Sequence, residues 1–141
     1  MIDSKELMIG NYINDAFGGL VTVRGLTKGG IWIKDDGFPA PQEAFAPIPL
    51  TPEILEKCGF SHIPHFTVMS SMILDVGRGR MLSIGSIGTP NEMLFIHDQA
   101  EGETKIDNIV VLHNWDYDGP LYLHKLHNII SLFKPELTIT L

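Results

Sequence analysis

The chain is short of cysteine, of basic charge and of long apolar runs, and each shortage removes a class of function. Cys58 is the only cysteine in 141 residues, so no internal disulfide can form and a cysteine-based zinc site is excluded. The usage agrees with a reducing compartment. Lys and Arg together number 10 against 17 Asp and Glu, a net charge of −7. Phosphate binding on bulk charge needs a basic footprint, so nucleic acid is disfavoured as a partner. Pure apolar runs such as Ile109 to Leu112 are far too short to span a bilayer, and the first residues, Met1-Ile2-Asp3-Ser4-Lys5-Glu6, put charge where a signal peptide needs an apolar stretch. The expectation is a protein of the cytoplasm with no membrane segment.

What is present suits one ordinary domain or two small ones: 44% hydrophobic and 19% charged residues, close to the globular average in apolar content. Acidity is uneven. From Asp98 to Asp118 six acids (Asp98, Glu101, Glu103, Asp107, Asp116, Asp118) face the single base Lys105, and such a stretch repels phosphate.

Between Leu7 and Pro49 short β-type runs alternate with glycine turns: Met8 to Ile13, Leu20 to Leu26, and Ile31 to Ile33. This spacing predicts a small SH3-like β-barrel over residues 1–49. Pro39, Pro41, Pro47, Pro49 and Pro52 stiffen a belt over residues 39–52. Residues 50–141 then form a second unit, free to pack with the first as one globule. Its first helix has a full set of signals: Thr51 as N-cap, Pro52 at the first helical position, Glu53 near the positive end, Leu50 placed to staple onto Leu55, and Gly59 as the stop. An antiparallel meander follows, with strands over 66–76, 80–87, 92–97 and 106–113 and a turn at Gly77-Arg78-Gly79. A second helix runs from Pro120 to Phe133, with Tyr122, Leu123, Leu126, Ile129, Ile130 and Phe133 on one stripe. Beyond Pro135, Leu137, Ile139 and Leu141 alternate with threonines, the period of a terminal strand. The fold class is therefore α+β: an SH3-like barrel followed by an antiparallel sheet packed with a C-terminal helix.

Six histidines raise the question of a metal. His124 and His127 sit three apart on the second helix, His127 bordering the apolar stripe and His124 on the polar side. His97 and His113 end neighbouring strands and, with Asp116 or Asp98, could complete a shell of three or four ligands. The competing reading is four hydrogen-bonded boundary histidines. Asn114-x-Asp116-x-Asp118-Gly119 matches the first half of a calcium loop, but Lys125 stands where a bidentate Glu belongs and Pro120 follows the glycine. A turn that caps the second helix through Asp118 accounts for it better. Gly77-Arg78-Gly79-Arg80 is the only basic cluster and could meet a phosphate or carboxylate through Arg78 and Arg80; a solvated hairpin tip is the simpler account. Gly85-Ser86-Ile87-Gly88-Thr89 resembles a phosphate-cradling loop only in its glycines. Cys58 lies toward a helix C-terminus, where the dipole opposes a thiolate, and Ser70 and Ser71 lack a nucleophile elbow. Trp115 and Tyr117, amid acids, form the best aromatic pair for a protein partner.

Three blocks resemble a family of small uncharacterised bacterial proteins often found among prophage and mobile-element genes. They are Glu6-Leu7-Met8-Ile9-Gly10-Asn11-Tyr12, Pro47 to Phe60 (Pro-Ile-Pro-Leu-Thr-Pro-Glu onward), and Leu121-Tyr122-Leu123-His124-Lys125-Leu126-His127-Asn128. The blocks follow the family's order. Arg stands in its pattern at Met8, Gln at His127, and a Gly-containing link at positions 134–136; the Gln argues against His127 as a ligand used across the family. The resemblance implies a genomic context and no mechanism.

With no complete catalytic constellation, the sequence points to a non-enzymatic interaction or accessory protein, without cofactor, that takes a protein partner; homo-oligomerisation stays open. The alternatives are a metal-dependent hydrolase built on His97, His113, His124 and His127, and a nucleic-acid-binding small barrel using Arg78 and Arg80.

Overall fold

A computed structural model of the chain describes residues 2–33, 37–62, 72–98 and 107–141. The protein is α+β, with antiparallel sheets and few helices. It divides into two compact units: Met1–Pro49 with Tyr122–Leu132, and Leu50–Leu121 with Phe133–Leu141. Among the described residues no helix is long and apolar enough to cross a membrane.

In the first unit a 3-10 turn at Ser4–Glu6 leads into two antiparallel ladders. Strands β1 (Tyr12–Asn14) and β2 (Leu20–Thr22) form one, β3 (Gly25–Thr27) and β4 (Gly30–Trp32) the other. Single bridges Asn14 to Ala46 and Ile31 to Ala40 draw the proline-rich stretch alongside. Ile2, Leu7, Ile13, Val23, Ile31 and Phe45 make the buried core between them. A closed barrel is not found among the described residues, where the ladders remain two-stranded.

In the second unit helix α1 (Pro52–Lys57) matches its sequence signals closely. Thr51 Oγ1 accepts from Ile54 N at 3.2 Å. At the other end Gly59 adopts φ +96°, Phe60 N donates to Leu55 O and Gly59 N to Glu56 O, a Schellman cap. Then comes a five-stranded antiparallel meander in sequence order: β5 (Ser61–His62), β6 (Met72–Gly77), β7 (Arg80–Gly85), β8 (Met93–Asp98) and β9 (Asp107–Asn114). The register aligns Met72, Ile84 and Leu94 in one row and Leu74, Leu82 and Ile96 in the next; all six are buried. This face is the core of the unit. The two-residue turn between β6 and β7 places Arg78 at φ 58° and Gly79 at φ 71°, the double positive φ of a type I′ hairpin.

The helical C-terminal region departs from the sequence expectation. A short helix, α2 (Trp115–Asp118), precedes helix α3 (Leu123–Phe133). Asp118 does not cap α3. Its Oδ2 accepts from Asn114 N at 3.1 Å and closes the α2 turn, while Asn114 Oδ1 caps that turn by accepting from Asp116 N at 3.0 Å. Pro120 lies in the link before α3, and Leu123 N donates to Ile48 O. No strand forms after Pro135. The alternation is seen in burial, with Ile139 inside and Thr138 and Thr140 exposed, since period two fixes which side faces inward.

Candidate partner-binding surface

Among the described residues no three His, Cys, Asp or Glu side chains form a group able to hold a metal ion. His97 and His113 belong to the sheet unit, His124 and His127 to the first unit. Each is used locally. His113, buried, donates from Nε2 to Gly119 O at 2.8 Å and so ties the end of β9 to the exit of α2. His97 Nε2 lies 2.6 Å from Ser83 Oγ, with the two residues only 1% and 2% exposed. Ser83 was not singled out by the sequence, since alternation put it on a strand with no motif. The pair has the atoms of a nucleophile and a base in a nearly fully buried setting, and His97 Nδ1 is buried without a well-formed hydrogen bond. Burial lowers the His97 pKa, opposed by the Asp98 backbone and carboxylate.

His124 is buried, against the expectation that it sits on the polar side of its helix. The reason is a partner from the far end of the sequence: His124 Nε2 lies 3.3 Å from Glu6 Oε2, and Lys125 Nζ is 3.0 Å from Glu6 Oε1. Asn128 Nδ2 donates to Glu6 O at 2.8 Å, and Asn11 Nδ2 donates to Asn128 Oδ1 at 2.9 Å. His127 borders this network, 3.4 Å from Asn11 Nδ2. Two of the blocks that carry the family resemblance thus meet through their polar residues, and the third joins them where Ile48 and Pro49 pair with the start of α3. Desolvation lowers the pKa of both His124 and His127. These contacts fasten the helix, while His124 Nδ1 stays buried without a hydrogen bond.

The remaining weak motifs are also occupied. The glycine loop before β8 offers Gly88 N to Glu92 Oε2 at 2.7 Å, and the same buried carboxylate accepts Leu121 N at 2.8 Å. A side-chain anion therefore sits where a phosphate would. Cys58 is buried, its thiol pKa pushed up to about 11 by desolvation, which keeps it unreactive. Ser70, Ser71 and His65 lie outside the described residues, and His62 makes only an exposed contact with Glu56 at 3.4 Å.

The partner-binding candidates share the second unit and bracket one strand. Asp98, Arg80 and Asp107 align across β8, β7 and β9. Arg80 Nε lies 3.9 Å from Asp98 Oδ1, and Asn108 Nδ2 donates to Asp98 Oδ2 at 2.7 Å. Arg78 is exposed on the adjoining turn. At the opposite end of β9, α2 leaves Tyr117 88% exposed and Trp115 half-buried. Between them β9 is, among the described residues, the terminal strand of the sheet, with Ile109, Val110 and Val111 exposed by 58%, 54% and 49%. Three successive apolar residues cannot all point to one side of a strand, so both faces of this edge are open. A pocket of about 330 Å³ lies beside it, lined by Arg80, Ile96, His97, Asp98, Asn108, Val110 and Phe133. The eight-residue strand is rich in β-branched residues and free of Lys and Pro, and its pairing with β8 is interrupted at two register irregularities, the kind of bulge that twists a sheet edge. The sequence contained the signal, the run from Ile109 to Leu112, but not its position at an edge. No family model, no curated protein and no solved structure matches the chain.

Proposed function

We propose that the protein is a non-enzymatic interaction module whose sheet unit takes an extended segment of a partner protein as a sixth strand along β9. The observation that carries this reading is the exposure of Ile109, Val110 and Val111 on β9, the terminal strand of the sheet among the described residues. Strand addition supplies main-chain hydrogen bonds for affinity and side-chain positions on both faces for selectivity. Tyr117 and Trp115 extend the contact past the end of the strand, where exposed aromatics serve as anchors. Arg78 and Arg80 flank the other end. The two ladders and shared core of the first unit support an SH3-like module there, and the three matching sequence blocks support an accessory role of the prophage-associated kind. The single buried cysteine supports a cytoplasmic setting.

A displayed peptide library tests the reading. Selection on the full-length protein is expected to enrich extended, β-prone peptides that lose binding to Ile109→Lys and weaken on Tyr117→Ala, both variants keeping the parent's circular dichroism. A lysine in the middle of an edge blocks pairing without removing buried side chains. Enrichment of peptides that bind both variants as well as the parent would remove β9 as the site.

A further inference from the structure

We infer that the cavity of about 330 Å³ beside β8 and β9 takes a free α-amino acid with an apolar side chain. The site goes beyond strand addition and does not depend on it. Every residue that lines the cavity belongs to the sheet unit. Its volume is near the lower end for small-molecule sites, enough for one residue-sized molecule. Ile96, Val110 and Phe133 supply the apolar part of the lining, which suits an aliphatic or aromatic side chain.

The polar part of the lining carries one charge of each sign. Arg80 Nε lies 3.9 Å from Asp98 Oδ1, beyond hydrogen-bond distance, and the guanidinium makes no hydrogen bond among the described residues. Asp98 is fixed through its other oxygen, which accepts from Asn108 Nδ2 at 2.7 Å. Asn108 holds φ 53°, a conformation that asparagine tolerates better than most side chains. A purely anionic ligand drawn to Arg80 meets the Asp98 carboxylate, and a purely cationic one drawn to Asp98 meets Arg80. A zwitterion satisfies both, its carboxylate on the guanidinium and its ammonium on Asp98. His97, 1% exposed, lines the same cavity. Its Nε2 lies 2.6 Å from Ser83 Oγ, while Nδ1 is buried without a well-formed hydrogen bond. Buried polar atoms are almost always bonded, so an exception in the wall of a cavity that also offers a guanidinium and a carboxylate points to a polar ligand there.

Methyl NMR spectra of the full-length protein, titrated with L-leucine, test the assignment. The Ile96 and Val110 methyls are expected to shift in the millimolar range, with L-methionine and L-phenylalanine acting alike and glycine shifting neither. Isocaproate, which is leucine without its ammonium, and isoamylamine, leucine without its carboxylate, should each bind about ten-fold more weakly. Asp98→Asn should erase the advantage of leucine over isocaproate, and Arg80→Gln its advantage over isoamylamine, each leaving the other advantage in place. Both side chains are about half exposed, so the variants are expected to keep the parent's circular dichroism, and a general loss of structure does not produce two opposite changes of preference. Leucine bound no better than either analogue by the parent protein, or preferences that both variants leave unaltered, overturn the inference. So does the absence of any Ile96 or Val110 shift with all three amino acids.

Discussion

Asn11 joins the N-terminal stretch to α3 through one buried side chain. Its Oδ1 accepts from Met8 N at 2.8 Å, and its Nδ2 reaches Asn128 on α3. Truncation to alanine removes the partner of the Met8 N–H and of Asn128 Oδ1, both partly buried, and a group left without its partner costs more than a typical net hydrogen bond contributes. Asn11→Ala is expected to lower stability by about 2 kcal/mol, read as a shift of the urea midpoint with little change in slope. The histidines give the same scale a pH dependence. Burial holds His97, His124 and His127 below the ordinary value of 6.5, so below that pH the unfolded chain binds more protons than the folded one. Stability is then fully present above about 6.5 and declines as pH falls toward the lowered folded values. Urea titrations across that range should show the decline, and His127→Gln, which removes one of the three groups while keeping a polar side chain, should flatten it. An unchanged slope in that variant would deny His127 its share.

At the scale of elements, the parts legible in the sequence were those fixed by local chemistry. Thr51, Pro52 and Gly59 specify α1 because capping and positive φ are requirements of single residues. The β6 to β7 turn was legible in Gly77-Arg78-Gly79 for the same reason. What could not be read depends on a distant partner. His124 has the position of a polar-face residue, yet it is buried, stacked on Tyr122 and met by Glu6 from another part of the chain. The Ile109 to Leu112 run reads as part of a strand, and nothing local states its place at the end of the sheet described by β5 to β9. Ser83 and His97 meet only because the register of β7 and β8 brings them near. The turn also carries a prediction. Arg78 holds φ 58°, a region that costs an ordinary side chain and suits asparagine, the favoured first residue of a type I′ turn. Arg78→Asn should raise stability by about 0.5 kcal/mol, seen as a higher thermal midpoint, and a fall would mean that the arginine side chain contributes to the fold.

For the whole molecule, net charge and the open edge act against each other. At neutral pH a charge of −7 keeps copies apart, and the acids around β9 concentrate that repulsion where an exposed edge would otherwise pair with its like. Near the sequence pI of about 5.2 the repulsion vanishes while Ile109, Val110 and Val111 remain exposed. Light scattering is therefore expected to rise as pH approaches that value, with added thioflavin-type dye or infrared spectra reporting new β pairing. Loss of histidine-dependent stability also begins in this range, so the comparison must be with Ile109→Lys, which keeps the same histidines and differs at the edge. Measured at equal distance from its own isoelectric point, that variant should stay dispersed where the parent associates. Equal association of the two would place the sticky surface elsewhere, on the exposed Phe17 or Phe38 of the first unit, and would weaken the case for β9 as the edge that recognises a partner.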